Sequence, residues 1–180
     1  MADRLRMSAL GCTVVVVAGL LLAARLMTQT YRVPTEAMEP TIRIGDTIFT
    51  WKTRNPQRGD IIALDYPLQP GVVFVKRAVA VPGDTVEIHD KQLFVNGEKT
   101  EEPYVQHADP QTFPRDPRLP EPYRSRDQYG PYRIAPENFF VLGDNRDRSS
   151  DSRYWGTLPR RNVRGVVTLI FSFKRGFVIP

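Results

Sequence analysis

One lysine of this 180-residue chain lies in a stretch that suits an uncharged amine. Lys76 follows the apolar run Val72 to Val75, and only Arg77 separates it from Ala78 and Val79. Burial among apolar groups disfavours a charged amine and lowers its pKa from the reference value of about 10.4. Lys76 is therefore a candidate general base, although a lysine at the end of a strand is usually solvated.

A second concentration of polar groups is Gly143–Gly156, with the sequence GDNRDRSSDSRYWG. It directly follows the apolar run Phe139–Leu142, so it suits a hydrogen-bonded loop at the end of a buried strand. The alternative is a solvated turn whose surface ion pairs contribute ~0–1 kcal/mol each. Calcium binding is not indicated, because the segment lacks the calcium-loop spacing with its terminal glutamate.

A third segment, Val33–Thr41, has the sequence VPTEAMEPT and is followed by a glycine-aspartate turn. A protease needs a nucleophile, a base and donors for an oxyanion. A serine-histidine-aspartate arrangement is poorly supported, because His89 lies in an alternating strand and His107 in a proline-rich stretch. With these two histidines and the lone Cys12, we expect no metal site and no cofactor.

The elements that must position these segments are short strands. Apolar alternation or short apolar runs, bounded by Gly, Pro and Asp, predict strands, and Asn96-Gly97 predicts a tight turn. Outside the N-terminus no window has a helical period, which favours an all-β domain with several sheets. The predicted strands are Thr47–Trp51, Asp60–Tyr66, Val72–Val75, Thr85–His89, a strand containing Leu93 and Val95, Phe139–Leu142 and Val163–Phe173.

The stretch from Glu101 to Pro136 is polar and rich in proline, with little strand pattern. We expect a long excursion over the surface of the domain, with at most one short hairpin. Its composition favours a mobile loop with no part in the chemistry.

The N-terminal run Met7–Ala24 carries no charge and is rich in Val, Leu and Ala. As a helix, at ~1.5 Å per residue, it nearly crosses the ~30 Å hydrocarbon layer. Arg4 and Arg6 precede it and Arg25 follows it, so the positive-inside tendency places the N-terminus in the cytoplasm. We expect a single-pass anchor in the inner (cytoplasmic) membrane; the alternative is a cleaved signal peptide.

These observations predict a mainly β chain in two parts. Residues 1–30 form the tail and a single N-terminal transmembrane helix, and residues 31–180 form an extracytoplasmic domain of several antiparallel sheets, with the excursion at 101–136. The formal net charge of +5 suits either an anionic membrane surface or a solvated basic face. Nucleic acid is not indicated, because no basic stripe carries interleaved aromatics. Six apolar residues could form a rim near the headgroups, and the alternative is that most of them are ordinary core. They are Ile48, Phe49, Trp51, Phe171, Phe173 and Phe177.

The three polar segments, in this order behind a membrane span, resemble the bacterial type I signal peptidases of the serine-lysine dyad class. Lys76-Arg77 followed by Pro82-Gly83-Asp84 resembles the lysine box of that family. Gly143–Gly156 resembles its Gly-Asp-Asn-Arg-Asp box, and Pro34–Thr41 resembles its nucleophile box. The resemblance covers nearly the whole chain and implies the signal peptidase type of antiparallel β domain.

The resemblance also implies roles for individual residues. Lys76 matches the general base, Ser149 the serine that orients it, and Thr35 a hydroxyl of the oxyanion hole. Substrate side chains would lie against Val33, Pro34, Phe74 and Val75. Structural support would come from Arg77, Asp144, Arg146, Asp151 and Arg153.

One departure from the family pattern decides the chemistry that we expect. In that family, the nucleophilic serine occupies the position immediately before the residue that matches Met38. In this chain the position holds Ala37, whose methyl group cannot attack a carbonyl. Two histories fit, an active-site substitution or a natural copy that has lost catalysis. We therefore expect the framework of an endopeptidase that removes signal peptides from preproteins, inactive as written. The alternative is a non-catalytic protein that binds signal peptides or other precursors.

Overall fold

The computed structural model describes residues 13–19, 24–120 and 123–180, of which 13–19 and 24–27 are helical. The predicted anchor Met7–Ala24 lies partly outside these ranges. Within them, no helix has both the length and the apolar character needed to span a bilayer. The first strand begins at Thr28, ahead of residue 31 where we placed the start of the β domain.

The rest of the described chain is mainly β, as the sequence predicts, and folds into two antiparallel sheets. An 8-stranded sheet has the order β1-β2-β12-β3-β4-β10-β11, with β13 paired to β12, and a 5-stranded sheet has the order β7-β6-β5-β9-β8. The strands are β1 Thr28–Arg32, β2 Thr47–Trp51, β3 Ile61–Asp65, β4 Val73–Ala80, β5 Thr85–His89, β6 Gln92–Val95, β7 Glu98–Lys99, β8 Tyr123–Ser125, β9 Gln128–Arg133, β10 Asn138–Leu142, β11 Leu158–Pro159, β12 Val163–Ser172 and β13 Gly176–Val178. Short helical turns are Arg146–Arg148, Ser152–Trp155 and Arg160–Asn162.

Strand β10 shows why its sequence is apolar without alternation. Phe139 and Val141 pack into one buried cluster with β3, while Phe140 and Leu142 pack into another with the small sheet. Successive side chains of a strand point to opposite faces, and both faces of β10 are covered. Its end is therefore fixed from two sides, and the loop that follows begins at a defined place.

The predicted strands are found with small shifts at their ends, but β4 is longer than predicted. It runs to Ala80 instead of ending at Val75, because its second half pairs with β10 from Arg77 onwards. Lys76 consequently lies inside a strand that pairs with Ile62 on β3, and it is only 4% exposed. The alternative interpretation, that Lys76 is solvated at the end of a strand, is wrong.

The proline-rich excursion contributes more structure than its composition predicts. Its second half forms the hairpin β8–β9, and β9 pairs with β5 to complete the small sheet. Tyr129 on β9 is 1% exposed and belongs to the core of that sheet. The strand pattern is hidden because Gly130 and Pro131 interrupt it. The short hairpin that we allowed for is thus present. The interpretation of the whole stretch as a mobile loop is wrong, because β9 is paired with β5.

Substitution of Gly130 tests the pairing between β5 and β9. Its φ is +72°, and a Cβ would lie 2.5 Å from the Val86 carbonyl oxygen and 2.9 Å from the Tyr132 nitrogen. We expect Gly130→Ala to lower the free energy of unfolding by roughly 3 kcal/mol, since conformational strain and a backbone clash add. Chemical denaturation monitored by fluorescence measures it.

The control is Gly97→Ala in the β6–β7 turn, where φ is +81° and a Cβ meets nothing within 4 Å. It bears the conformational strain alone and should cost about 1–2 kcal/mol. Equal losses at the two positions would contradict the close approach of β5 to Gly130.

Candidate active site

An apolar cleft of about 390 Å³ lies between the segment that follows β1 and the first half of β4. Five of the residues to which the resemblance gives contacting roles line it together with the nucleophile position Ala37 and with Lys76. These five are Thr35, Val33, Pro34, Phe74 and Val75. Segments that are far apart in sequence thus line one cleft.

The amine of Lys76 is buried and lies next to an aromatic ring. Its Nζ donates a hydrogen bond to the Val75 carbonyl at 3.1 Å and lies 5.0 Å from the centre of the Phe74 ring. The Phe74 ring is itself stacked on Tyr66 at 4.4 Å. Burial lowers the pKa of Lys76 to about 8, with Arg153 acting in the same direction and with Asp151 and Asp144 opposing. A substantial fraction of this amine is neutral near physiological pH, as a general base requires.

The nucleophile position is fixed by its neighbours in the sequence. Ala37 is 7% exposed, and the next residue, Met38, is inserted into the core at 1%. Ile42 N–H donates to the Met38 carbonyl at 2.9 Å and closes a compact turn. On the other side, the Asn145 N–H donates to the Ala37 carbonyl at 3.1 Å, and its side-chain amide donates to Glu36 O at 3.2 Å.

Ser149 lies beside this position but is not a lining residue of the cleft. A Cβ on Gly143 would collide with both the Ser149 side chain and the Ala37 carbonyl, so these two groups converge on one glycine. The Ser149 hydroxyl is buried and has no partner of hydrogen-bond geometry in the described part of the chain. It is close enough to the Asp151 carboxylate to contribute to that group's lowered pKa.

The resemblance implies that Ser149 orients Lys76, and this contact is not formed here. The lysine amine donates to the Val75 backbone instead. The methyl group of Ala37 accepts no hydrogen bond, so the side chain at position 37 offers the amine no partner.

A buried ion pair joins the lysine strand to the Gly-Asp-Asn loop. Arg77 Nε and Nη2 donate to the two oxygens of Asp144 at 2.9 and 2.6 Å, and both side chains are less than a tenth exposed. Thr41 Oγ1 donates to the same carboxylate at 2.6 Å. The Asp144 carboxylate therefore fixes three parts of the chain relative to each other. These are the nucleophile segment Val33–Thr41, the base strand β4 and the loop that begins at Gly143.

A second buried pair shapes the loop from within. Burial alone would raise the pKa of Asp151, but the charge and hydrogen bonds of Arg153, together with the Gly143 N–H, lower it. Arg153 Nε donates to Asp151 at 2.8 Å, and Gly143 N donates at 3.1 Å. Asp151 thus stays ionised and closes the loop from Gly143 back onto the short helix.

The proline-rich segment supplies partners that the sequence does not reveal. Glu102 accepts from the buried Arg146 at 2.6 Å, and the ring of Tyr104 lies 3.7 Å from the guanidinium of Arg77. The backbone of Gln106 bridges the loop, donating to Asp144 O at 2.8 Å and accepting from Arg146 N at 3.0 Å. Two of the expected supporting residues, Arg77 and Arg146, therefore have side-chain contacts with this segment.

Breaking the Arg77–Asp144 pair tests its structural weight. We expect Arg77→Ala to lower the free energy of unfolding by about 3–5 kcal/mol, because it leaves a buried carboxylate without its guanidinium. The matched control is Arg148→Ala, whose pair with Glu36 is 57% and 40% exposed. That loss should stay within ~1 kcal/mol. Similar losses in the two variants, measured by urea denaturation, would show that the buried pair carries no special weight.

Comparisons with known proteins agree with this arrangement. A family model described as "Signal peptidase, peptidase S26" matches residues 6–172. Signal peptidase I of Pseudomonas aeruginosa is 32% identical over 179 residues, which cover 77% of this chain and 63% of that protein. The chain thus spans less than two-thirds of the length of that relative. Signal peptidase I of Bacillus licheniformis is 34% identical over 163 residues, covering 88% of this chain and 83% of that protein.

A solved structure extends the similarity to three dimensions. The crystal structure of a signal peptidase I from Enterococcus faecalis V583 has 35% sequence identity and a TM-score of 0.51, covering 63% of this chain and 97% of that one. The resemblance drawn from the three motifs is confirmed by these matches. The chain belongs to the bacterial type I signal peptidase family.

Proposed function

We propose that the chain is the framework of an endopeptidase that removes N-terminal signal peptides from secreted preproteins, and that Ala37 makes it inactive. The observation that carries the proposal is that the buried Lys76 and the nucleophile position Ala37 line one cleft. The base has a lowered pKa, and what is missing is the hydroxyl that it would deprotonate.

With serine at position 37, the residues of the cleft account for a complete reaction. Neutral Lys76 accepts the serine proton, and the alkoxide attacks the peptide carbonyl. The Thr35 hydroxyl and the amide of residue 37 stabilise the oxyanion. The lysinium then protonates the leaving amine, and neutral Lys76 activates water to release the acyl group. Ser149 positions the amine during these transfers.

The substrate is an extended segment with small side chains. Pairing between β4 and β10 starts at Arg77, so the edge of Val73–Lys76 that faces away from β3 has no strand partner among the described residues. An extended peptide would add to this free edge by backbone hydrogen bonds, with its side chains towards Val33 and Phe74. The shallow apolar cleft favours small residues at the first and third positions before the cut.

The intact cleft also supports a second function, the binding of signal peptides without cleavage. Its apolar lining and the free edge of β4 do not depend on a hydroxyl at position 37. A protein of this kind would present or shield precursors. Both functions use the same cleft. They differ in whether the bound peptide is cleaved.

We place the protein at the cytoplasmic membrane as a single-pass protein, with the anchor within residues 1–30 and the β domain 31–180 outside the cytoplasm. Support comes from exposed apolar side chains that can contact the bilayer, with Phe173 at 89% exposure and Phe177 at 67%. Trp51 is also exposed, but Ile48 is 0% exposed, so its assignment to the apolar rim is wrong.

The first test is the substitution Ala37→Ser. We expect it to restore cleavage of a signal-peptide substrate that ends in Ala-x-Ala, because it returns the missing hydroxyl to a cleft that holds a buried base. Adding Lys76→Ala should abolish the activity again, with a loss of several orders of magnitude. Product formation is followed by mass spectrometry of the cleaved peptide.

Substitution of a hydroxyl residue of the cleft that has no proposed catalytic role provides the control. Ser150 lines the cleft and is exposed. Ser150→Ala in the Ala37→Ser protein should leave cleavage intact. No cleavage by Ala37→Ser, although the peptide binds, would favour the binding protein over the endopeptidase.

The pH dependence provides an independent check on the base. Burial lowers the pKa of Lys76 to about 8, and only the neutral amine accepts a proton. We expect kcat/KM of the Ala37→Ser protein to rise with pH, with a midpoint near that value, and to level off above it. A midpoint above about 10, the ordinary value for a solvated lysine, would contradict a buried Lys76 with a lowered pKa as the base.

A further inference from the structure

A second concave site lies at the end of the large sheet where the chain enters β1. This cavity of about 340 Å³ is lined by Gln29 from β1, residues 52–54 after β2, Asp65 from β3 and the start of β12. The lining residues are Gln29, Lys52, Thr53, Arg54, Asp65, Arg161, Val163 and Arg164. Ala37 and Lys76 are not among them.

The charge of this cavity is strongly one-sided. Its one carboxylate, Asp65, is already paired with Arg164, which donates from Nε at 2.9 Å and lies at 2.7 Å through Nη2. Three further cations line the cavity, Lys52, Arg54 and Arg161, and none has an ion pair within the described ranges. The excess of three positive charges is concentrated in one concavity rather than spread along a solvated face.

The cavity adjoins the helical residues that precede β1. Lys52 Nζ donates to the Leu26 carbonyl at 2.6 Å, and Lys52 N donates to the Met27 carbonyl at 2.8 Å. Leu26 and Met27 belong to the helical stretch 24–27 and are exposed, at 60% and 47%. Trp51, the residue before the cationic segment, is 46% exposed, as is common for aromatic residues at the headgroup level.

We infer that this cationic cavity, lined by Lys52, Arg54 and Arg161, binds the phosphate group of an anionic phospholipid. The inference rests on the proposed anchor within residues 1–30, which would hold this end of the sheet at the bilayer. Guanidinium groups donate to phosphate oxygens in pairs, and the Thr53 hydroxyl and the Gln29 amide add neutral donors. The site would fix the height and orientation of the β domain above the membrane.

The test uses the full chain, purified in mild detergent and mixed with phosphatidylglycerol or phosphatidylcholine. Native mass spectrometry counts the lipids that each protein retains. We expect preferential retention of phosphatidylglycerol that declines as salt is added, because exposed charges are screened. In Arg54→Gln/Arg161→Gln, affinity for that lipid should fall by about thirtyfold, since each of the two basic residues near an anionic surface contributes about 1 kcal/mol.

The matched control removes two exposed cations of the small sheet, as Lys99→Gln/Arg133→Gln, and has the same net charge. It should retain phosphatidylglycerol as the parent chain does, and thermal melting checks that both double variants are folded. Equal retention of the two lipids by the parent, or equal losses in the two double variants, would overturn the inference.

Two further outcomes separate the sources of the phosphate and the two proposals. Displacement of the lipid by an equal concentration of glycerol phosphate would show that the site binds a free phosphate ester, which overturns the lipid assignment. Partition of the full chain into the aqueous phase of a Triton X-114 separation would overturn the anchor and, with it, this inference. Partition into detergent without lipid preference would overturn the lipid site alone.

Discussion

The buried pair of Arg77 and Asp144 is the interaction on which the site depends. Taking two charges out of water is costly, and the cost is offset only when their geometry is nearly ideal and their remaining groups are satisfied. Here Asp144 accepts from Arg77 and Thr41, and Arg77 also donates to the Gly59 carbonyl at 2.8 Å. Because the arrangement tolerates little displacement, the base strand and the nucleophile segment keep a fixed relation.

Placing Lys76 next to this pair has an electrostatic consequence. Arg77 and Lys76 are neighbours on β4, and the alternation of a strand directs them to opposite faces. The guanidinium is neutralised by Asp144 on one face, while the amine on the other lies among Phe74 and the backbone of Val75. The same strand thus holds one side chain in a buried ion pair and one amine that can lose its proton.

The contacts that hold position 37 do not depend on the hydroxyl that the proposed reaction requires. The methyl group of Ala37 occupies a buried position whose backbone is held by Asn145 and whose neighbour Met38 is fixed in the core. None of these contacts involves a side-chain oxygen at position 37. The fold around position 37 therefore does not require a hydroxyl there.

Glu102 and Tyr104 show the difference between local and distant information. The sequence places them in a polar, proline-rich stretch, and nothing there has a period that would indicate a role. In the structure they contact Arg146 and Arg77 across the loop, through an ion pair and a ring that covers a guanidinium. Contacts of this kind form only when two distant segments come together on folding. The local sequence pattern of one segment does not predict which other segment it will contact.

The sequence by itself determined the family, the positions of most strands, the identity of the candidate base and the alanine at position 37. Each of these is written in residue type or in local spacing along the chain. Tertiary structure alone decided that Lys76 is buried, since β4 continues to Ala80 only because β10 pairs with it. It also decided that Arg77 meets Asp144, 67 positions away. Burial and ion pairing arise from surfaces that come together on folding, and a linear pattern does not record them.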